Sequence, residues 1–163
     1  MTEKVIIYAM RSQTTGDAYI GKTAGLFLRK AAHLTLLRRK KHRCLRLQRL
    51  FNELGETDFE FVVLETLVLD LDTTTLRFWN VVAAANAERY WQIKQKNQLY
   101  STLLNNRLQP PGSLVYAEHW GENPYPKYLE RLREIDVDAL PVRPRGRPPI
   151  ARTASADGPA TAP

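Results

Sequence analysis

Cysteine, long apolar runs and, over one stretch, acidic side chains are scarce in this sequence. With a single cysteine, Cys44, in 163 residues, the chain cannot form an intramolecular disulfide or a cysteine-rich zinc site. The apolar run in the opening MTEKVIIYAM is too short for a signal-peptide core or a membrane span. These absences predict a protein of a reducing compartment, cytoplasmic and without a membrane partner.

Residues 18–52 contain no acidic side chain, although the whole chain carries 17. The same stretch holds ten basic residues, more than the net charge of +7 of the whole chain. A solvated surface normally mixes both signs, whereas cations that neutralise phosphates gain affinity by releasing counterions. We therefore expect a polyanion as the partner. Its predicted contacts in this stretch are Arg38, Arg39, Lys40, Lys41, Arg43 and Arg46.

Two short apolar segments near the N-terminus predict a β-hairpin. Residues 4–10 and 18–22 have strand character, and the RSQTTGD segment between them supplies turn residues. Side chains alternate across a strand, so Tyr8 of the first segment and Tyr19 of the second can face the same side.

Helical periodicity follows the hairpin, first in a basic helix, then at about residues 43–54 and about residues 75–98. Between the last two, DFEFVVLE predicts a third strand with Phe59, Phe61 and Val63 on one face. The predicted fold class is therefore α+β, a small three-stranded antiparallel sheet flanked by helices.

Composition divides the chain into three parts. Residues 1–106 hold the predicted sheet and its helices, and residues 107–140 form a short helical extension. Residues 141–163, rich in proline and small side chains, cannot bury enough apolar surface to order.

The segment RPRGRPP at residues 143–149 resembles an AT-hook. In such a segment the arginines, here Arg145 and Arg147, enter the narrow minor groove of A/T-rich DNA. Short strings of this kind also arise by chance in basic proline-rich tails, so both interpretations stay open.

The opening stretch resembles the GIY-YIG nucleases. The hairpin of that family carries its two name motifs, matched here by IIY at 6–8 and YIG at 19–21. A helix follows with an arginine ten residues after the second tyrosine and often a histidine four residues later, matched by Arg29 and His33. HRCLRLQRLFNELGETDFEFVVLE resembles the next helix and strand of the family, and AERYWQIK resembles the helix with its metal-binding glutamate. The resemblance covers about residues 5–106.

The resemblance implies a metal-dependent endonuclease that hydrolyses phosphodiester bonds in DNA. Homing, restriction, phage and repair enzymes share this chemistry, and a bacterial or phage host would imply association with the nucleoid. Ile6 stands where the family has the first glycine of its name, which we interpret as a packing change. The alternatives are a catalytically inactive DNA-binding module of the same fold and a structural or protein-interaction domain.

The resemblance also assigns roles to the acidic and aromatic residues. Glu88 would bind one divalent cation, magnesium first and manganese as the alternative. A hard cation takes few carboxylates and keeps several waters, so one glutamate can suffice. Tyr8 would be the general base, and Tyr19 would position the phosphate or the attacking water.

A tyrosine with an ordinary pKa near 10 needs help to act as a base near neutral pH. The cations Lys22 and Arg29 would favour its phenolate, or neutral His33 could accept its proton. Arg29 can also pair with phosphate oxygens and stabilise the charge of a pentacovalent transition state, with Lys22 as a point charge on the phosphate.

Three further polar residues have weaker assignments. The asparagine that the family carries near the end of its domain matches either Asn105 or Asn106. His42 has no comparable context and is expected at the surface.

Overall fold

The structure is a computed structural model. It describes residues 1–70, 72–98, 100–110 and 121–135. In this part of the chain three strands form one antiparallel sheet and helices cover both of its faces, which confirms the α+β fold class. Within the same ranges, none of the helices combines the length and the apolar character needed to cross a bilayer.

The sheet has the strand order β2-β1-β3, with β1 at Thr2–Ser12, β2 at Ala18–Thr23 and β3 at Phe59–Asp70. The hairpin is therefore present as predicted, and β1 is the central strand. All three strands are longer than their predicted segments. The pairing of β1 with β3 is irregular between Ile7 and Tyr8, so β3 contributes one extra residue there.

The helices are α1 at Leu26–Arg38, α2 at Leu45–Leu54, α3 at Thr74–Lys96 and α4 at Pro126–Glu134, with a short 3₁₀ turn at Glu56–Asp58. Thr73 caps α3 by accepting a hydrogen bond from the Leu76 backbone N–H. Gly55 ends α2 with a φ of +82°, a conformation that glycine adopts without strain.

One face of the sheet packs against α3 and α4 through an apolar core. Ile7 and Ala9 of β1 and Leu67 and Leu69 of β3 meet small residues of α3 there. Tyr128 of α4 belongs to the same core. The helix in the predicted extension thus packs onto the sheet domain.

The opposite face packs against α1 and α2. Met10 of β1 meets Leu37 of α1 and Leu47 and Phe51 of α2, with Cys44 beside them. The Cys44 thiol donates a hydrogen bond to the Leu104 carbonyl. This second core is smaller and lies next to a group of polar side chains.

Candidate active site

The two hairpin tyrosines face the same side of the sheet. In the register of β1 with β2, Tyr8 pairs with Gly21 and Met10 pairs with Tyr19, so both rings lie on the side covered by α1 and α2. Tyr8 is 0% exposed. The Tyr19 ring packs edge-on against His33, with centroids 5.2 Å apart.

Gly21 makes room for the Tyr8 hydroxyl. A Cβ atom at this position would lie 2.6 Å from Tyr8 Oη, closer than Cβ atoms approach nonbonded heavy atoms in real structures. The glycine of the YIG motif therefore lets the phenol lie across β2, and a larger residue would displace the hydroxyl.

Helix α1 supplies two partners to that hydroxyl. Arg29 and His33 are four residues apart and so lie on one face of the helix. Arg29 Nε donates to Tyr8 Oη at 3.1 Å, and His33 Nε2 lies 2.7 Å from the same oxygen. The resemblance predicts these three residues in one site, and the structure brings them into direct contact.

His42 is buried at 8% exposure, and our expectation of a surface histidine was wrong. Its Nε2 lies 2.8 Å from His33 Nδ1, and its Nδ1 accepts the Cys44 backbone N–H at 3.1 Å. The two imidazole rings stack with centroids 5.0 Å apart. The loop between α1 and α2 carries His42 inward, and no periodic pattern in the sequence marks this position.

The backbone N–H of Cys44 determines which nitrogen carries the proton in each of the two imidazoles. A backbone N–H can only donate, so His42 Nδ1 must be an acceptor and the proton of neutral His42 lies on Nε2. His42 then donates to His33 Nδ1, and neutral His33 carries its own proton on Nε2. His33 therefore donates to Tyr8 Oη.

Burial is the largest cause of the pKa shifts of the two tyrosines and the two histidines in this site. It raises the pKa of Tyr8 to about 12, against the opposing hydrogen bond from Arg29. Burial, with smaller effects of His42 and Arg29, lowers the pKa of His33 to about 4. Burial also lowers the pKa of His42 and raises that of Tyr19. At neutral pH both imidazoles are therefore uncharged, as the hydrogen-bond pattern requires, and both phenols are protonated.

Glu88 of α3 forms an ion pair with Lys22 of β2. Lys22 Nζ lies 2.5 Å from Glu88 Oε2, and Glu88 is buried at 8% exposure. Lys22 pairs with Ile7 in the sheet, so its side chain leaves the strand on the face opposite the tyrosines. The Glu88 charge still raises the pKa of both Tyr8 and Tyr19, which places it within electrostatic reach of the phenols.

The two candidate asparagines form hydrogen bonds with different parts of the chain. Asn105 Oδ1 accepts the Ile20 backbone N–H at 2.8 Å, and Asn105 Nδ2 donates to the Ile20 carbonyl at 2.7 Å. This amide closes the free edge of β2 beside Tyr19. Asn106 Nδ2 donates to the Arg43 carbonyl at 3.2 Å. Asn105 is therefore the one that fixes the hairpin.

A cleft of about 590 Å³ opens between α1, the loop after it and the segment around Asn105. Tyr19, Arg29 and His33 form part of its wall. Its cationic residues are Arg29, Lys41, Arg43 and Arg107. A phosphate group entering this cleft would reach the catalytic candidates from the side that carries the positive charge.

The predicted polyanion contacts of α1, α2 and the loop between them are all exposed. They are Arg38, Arg39, Lys40, Lys41, Arg43 and Arg46. Arg38 forms an ion pair with Glu56, which lies outside the acid-free stretch. Arg145 and Arg147 of the AT-hook-like segment, and the whole tail 141–163, lie outside the described residues.

Glu88 is the one residue to which the resemblance assigns a metal. Among the described residues no group of three or more histidine, cysteine or carboxylate side chains could hold a metal ion. Mg²⁺ is commonly held by one or two carboxylates, water and substrate phosphate. A single, mostly buried carboxylate within reach of the phenols fits a cation of that kind, and it does not fit a metal held by protein ligands alone.

No protein-family model matches the chain, and no curated protein matches it. Among solved structures it is similar to a mutant of the catalytic domain of intron endonuclease I-TevI. The two share 20% identity and a TM-score of 0.49, over 64% of this chain and 96% of the other. A likeness of this size is too slight to assign a function.

Proposed function

We propose that this protein is a metal-dependent DNA endonuclease of the GIY-YIG type, which hydrolyses phosphodiester bonds. The observation that carries the proposal is the buried Tyr8 hydroxyl, held by N–H groups of Arg29 and His33 next to a cationic cleft. A buried phenol needs a hydrogen-bond partner in any case, but here one partner is Arg29, whose side chain stays partly exposed and also lines the cationic cleft.

The hydrogen-bond pattern favours one of the two ways in which Tyr8 could become a base. A phenol oxygen donates one hydrogen bond and accepts about two. Arg29 and His33 both donate to it, so neutral Tyr8 has no lone pair left for a proton from water. His33 in turn has no free acceptor facing Tyr8. The base is therefore the phenolate, stabilised by two donors, and the imidazole is not its proton acceptor.

In the proposed reaction the phenolate takes a proton from water as the water oxygen attacks phosphorus. The bond from phosphorus to the leaving sugar oxygen breaks, that oxygen takes up a proton from solvent, and Tyr8 later returns its proton to solvent. Arg29 lies between the phenol and the cleft, where it can stabilise both the phenolate and the added charge on the phosphate. Tyr19, on the cleft wall, orients the phosphate or the water.

Glu88 would hold the divalent cation, magnesium first and manganese as the alternative. When bound, the cation supplies charge stabilisation at the phosphate and the leaving oxygen. Lys22 occupies one Glu88 oxygen in this structure. Release from that pair would free its ammonium group to contact a phosphate oxygen, as the resemblance implies for Lys22.

DNA would approach over the exposed cations of α1, α2 and the loop between them. Each phosphate contact made by such a side chain adds counterion release to the binding free energy. A protein with this function belongs with the DNA of the cell, so we propose a cytoplasmic, nucleoid-associated location if the host is a bacterium or a phage.

The test is incubation of the pure protein with supercoiled plasmid, first with magnesium and then with EDTA. We expect nicked or linear products with magnesium and intact plasmid with EDTA. Plasmid that stays supercoiled in magnesium and in manganese, with retardation on a native gel, would contradict the nuclease and favour the inactive DNA-binding module.

The tail adds a separate proposal, that residues 143–149 bind A/T-rich duplex through Arg145 and Arg147. A chain ending after residue 140 should cut saturating DNA at the same rate and bind A/T-rich duplex more weakly. The slope of log affinity against log salt should fall by about 0.9 for each phosphate that the tail had neutralised. An unchanged slope and affinity would show that the tail does not bind DNA.

A further inference from the structure

The two charged side chains in the body of α1 contact residues of the sheet, and both remain partly exposed to solvent. Between Leu26 and Leu37 the charged residues are Arg29 and Lys30. Arg29 donates to Tyr8, and Lys30 Nζ lies 5.4 Å from the centroid of the Phe61 ring in the sheet.

Exposed apolar side chains lie next to them on the helix. Phe27 is 83% exposed and Leu28 is 74% exposed, in the same turn as the catalytic candidate Arg29. A surface helix normally presents polar residues to solvent, so two adjacent large apolar side chains this exposed mark a candidate contact surface.

The apolar surface continues from Leu28 along the helix to the cleft. Leu28, Ala32 and Leu36 follow one another at four-residue spacing and so form one stripe. Ala32 and Leu36 line the cleft together with Tyr19 and Arg29. Eight residues of helix span about 12 Å, so the stripe extends well beyond a single phosphate. Whatever enters the cleft against Arg29 must also contact this stripe.

The surrounding charge identifies the occupant. The stripe lies within the acid-free stretch 18–52, with exposed Lys41 and Arg43 on the cleft beyond it. A second copy of the chain would bring the same cationic surface against itself. A DNA duplex offers phosphates for the cations and, between its phosphate backbones, the apolar edges of sugars and bases.

We propose that Phe27 and Leu28 form an apolar wedge that enters the DNA groove beside the scissile phosphate and partly unstacks a base step. Proteins that insert Phe or Leu in this way kink the duplex and widen their contact with it. The wedge rests on the proposed function, since it takes Arg29 as the residue that contacts the scissile phosphate. It would set how the enzyme deforms its target, and so which base steps it accepts.

The test uses the full chain in EDTA, so that binding is measured without cleavage. Short duplexes with 2-aminopurine at successive steps report unstacking as a rise in fluorescence. The variant Phe27→Gln/Leu28→Gln should lose most of that rise and bind roughly tenfold more weakly. Its salt slope should stay unchanged, because the two substitutions remove no cation. Both side chains are exposed, so its melting temperature should match the wild type.

Two matched controls separate the wedge from other effects. Val81→Gln replaces an apolar side chain of α3 that is 69% exposed, and it should leave binding and fluorescence unchanged. Arg39→Gln removes an exposed cation after α1 and should lower the salt slope by about 0.9 without affecting unstacking.

Wild-type affinity and wild-type fluorescence in the double variant would overturn the wedge. A wild-type dimer that the double variant turns into a monomer, with DNA affinity unchanged, would also overturn it in favour of a second copy. The nuclease proposal is judged separately, by cleavage in magnesium. Loss of unstacking in the double variant supports the wedge even if the wild type never cuts.

Discussion

The two faces of the sheet differ in kind, although alternate residues of the same strands build them. On β1, Ile7 packs toward α3 in an apolar core, while its neighbour Tyr8 turns toward α1 and receives two N–H donors. Both residues are 0% exposed. The α3 face is an apolar core at this point, whereas the α1 face adds to its own apolar core a phenol that burial holds protonated, with a pKa of about 12.

Because alternate residues of a strand face opposite sides of the sheet, neighbouring residues of β1 can serve different purposes, one stability and the next chemistry. Changes to the apolar side chains of the α3 face should alter the free energy of unfolding, and changes to the polar groups around Tyr8 on the α1 face should alter the cleavage rate. The Lys22–Glu88 ion pair departs from this division, because Lys22 lies on the α3 side of the sheet while the Glu88 charge raises the pKa of both phenols.

Removing the carboxylate of this ion pair should give the largest effect on the cleavage rate. Glu88→Ala removes the proposed cation ligand, and several kcal/mol of charge stabilisation corresponds to a rate loss on the order of a thousandfold. DNA affinity should be equal or higher, because a negative charge is removed. Plasmid cleavage and gel retardation measure the two, with Glu53→Ala on exposed α2 as the control. Cleavage within about threefold of wild type would exclude Glu88 as the ligand.

Tyr8→Phe should follow, with a rate loss of roughly a hundredfold or more and little change in melting temperature. The ring stays and only the proton-accepting oxygen is lost. Because burial raises the pKa of Tyr8 to about 12, the wild-type phenolate fraction should rise about tenfold per pH unit between about pH 6 and 9. Single-turnover rates should follow this rise, and the variant should lose it. A wild-type plateau above about pH 5 would instead point to His33, whose pKa is lowered to about 4.

Gly21→Ala tests the space on which that hydroxyl depends. The new Cβ would meet Tyr8 Oη at 2.6 Å and push it away from Arg29, for a rate loss of about ten- to a hundredfold. Gly25→Ala is the matched control, since a Cβ there meets nothing within 4 Å. Equal rates for the two variants would show that the hydroxyl does not need its observed position.

His42→Phe tests the hydrogen bond between the two imidazoles, and its expected loss of cleavage rate is smaller, about tenfold. The stacked ring is kept, but the donor that fixes the His33 tautomer is removed, and losses of 10–100-fold are typical when an orienting partner is removed. In a Tyr8→Phe background the same change should cost little more, because both act through one oxygen. Full additivity of the two losses would mean that His42 acts elsewhere.

The sequence predicted what local periodicity controls. Alternation along β1 and β2 places Tyr8 and Tyr19 on one side, and four-residue spacing on α1 places Arg29 beside His33. These relations hold within one hairpin and one helix, so short-range geometry is sufficient to predict them.

It could not predict what loops and distant segments contribute. His42 is buried by a loop in which Lys40 has a φ of +56°, a conformation that nothing in the local pattern requires. The sequence alone leaves Asn105 and Asn106 as alternatives, because the choice depends on a contact 85 residues away, with Ile20. The docking of α4 includes a pair between Arg131 and Glu65, 2.7 Å apart and 66 residues apart in sequence.

The smallest effect on cleavage should come from the apolar side of β1. Ile7→Val removes one methyl group from a fully buried side chain, which typically costs 0.5–1.5 kcal/mol of unfolding free energy, about 1 kcal/mol here. The melting temperature should fall by a few degrees, while the single-turnover rate well below it stays within about twofold of wild type. Thermal unfolding and plasmid cleavage on one preparation measure both, beside Tyr8→Phe, which should show the reverse pattern one residue away. A tenfold slower Ile7→Val with an unchanged melting temperature would mean that core packing on the α3 side positions the phenol, and that the two faces act as one unit.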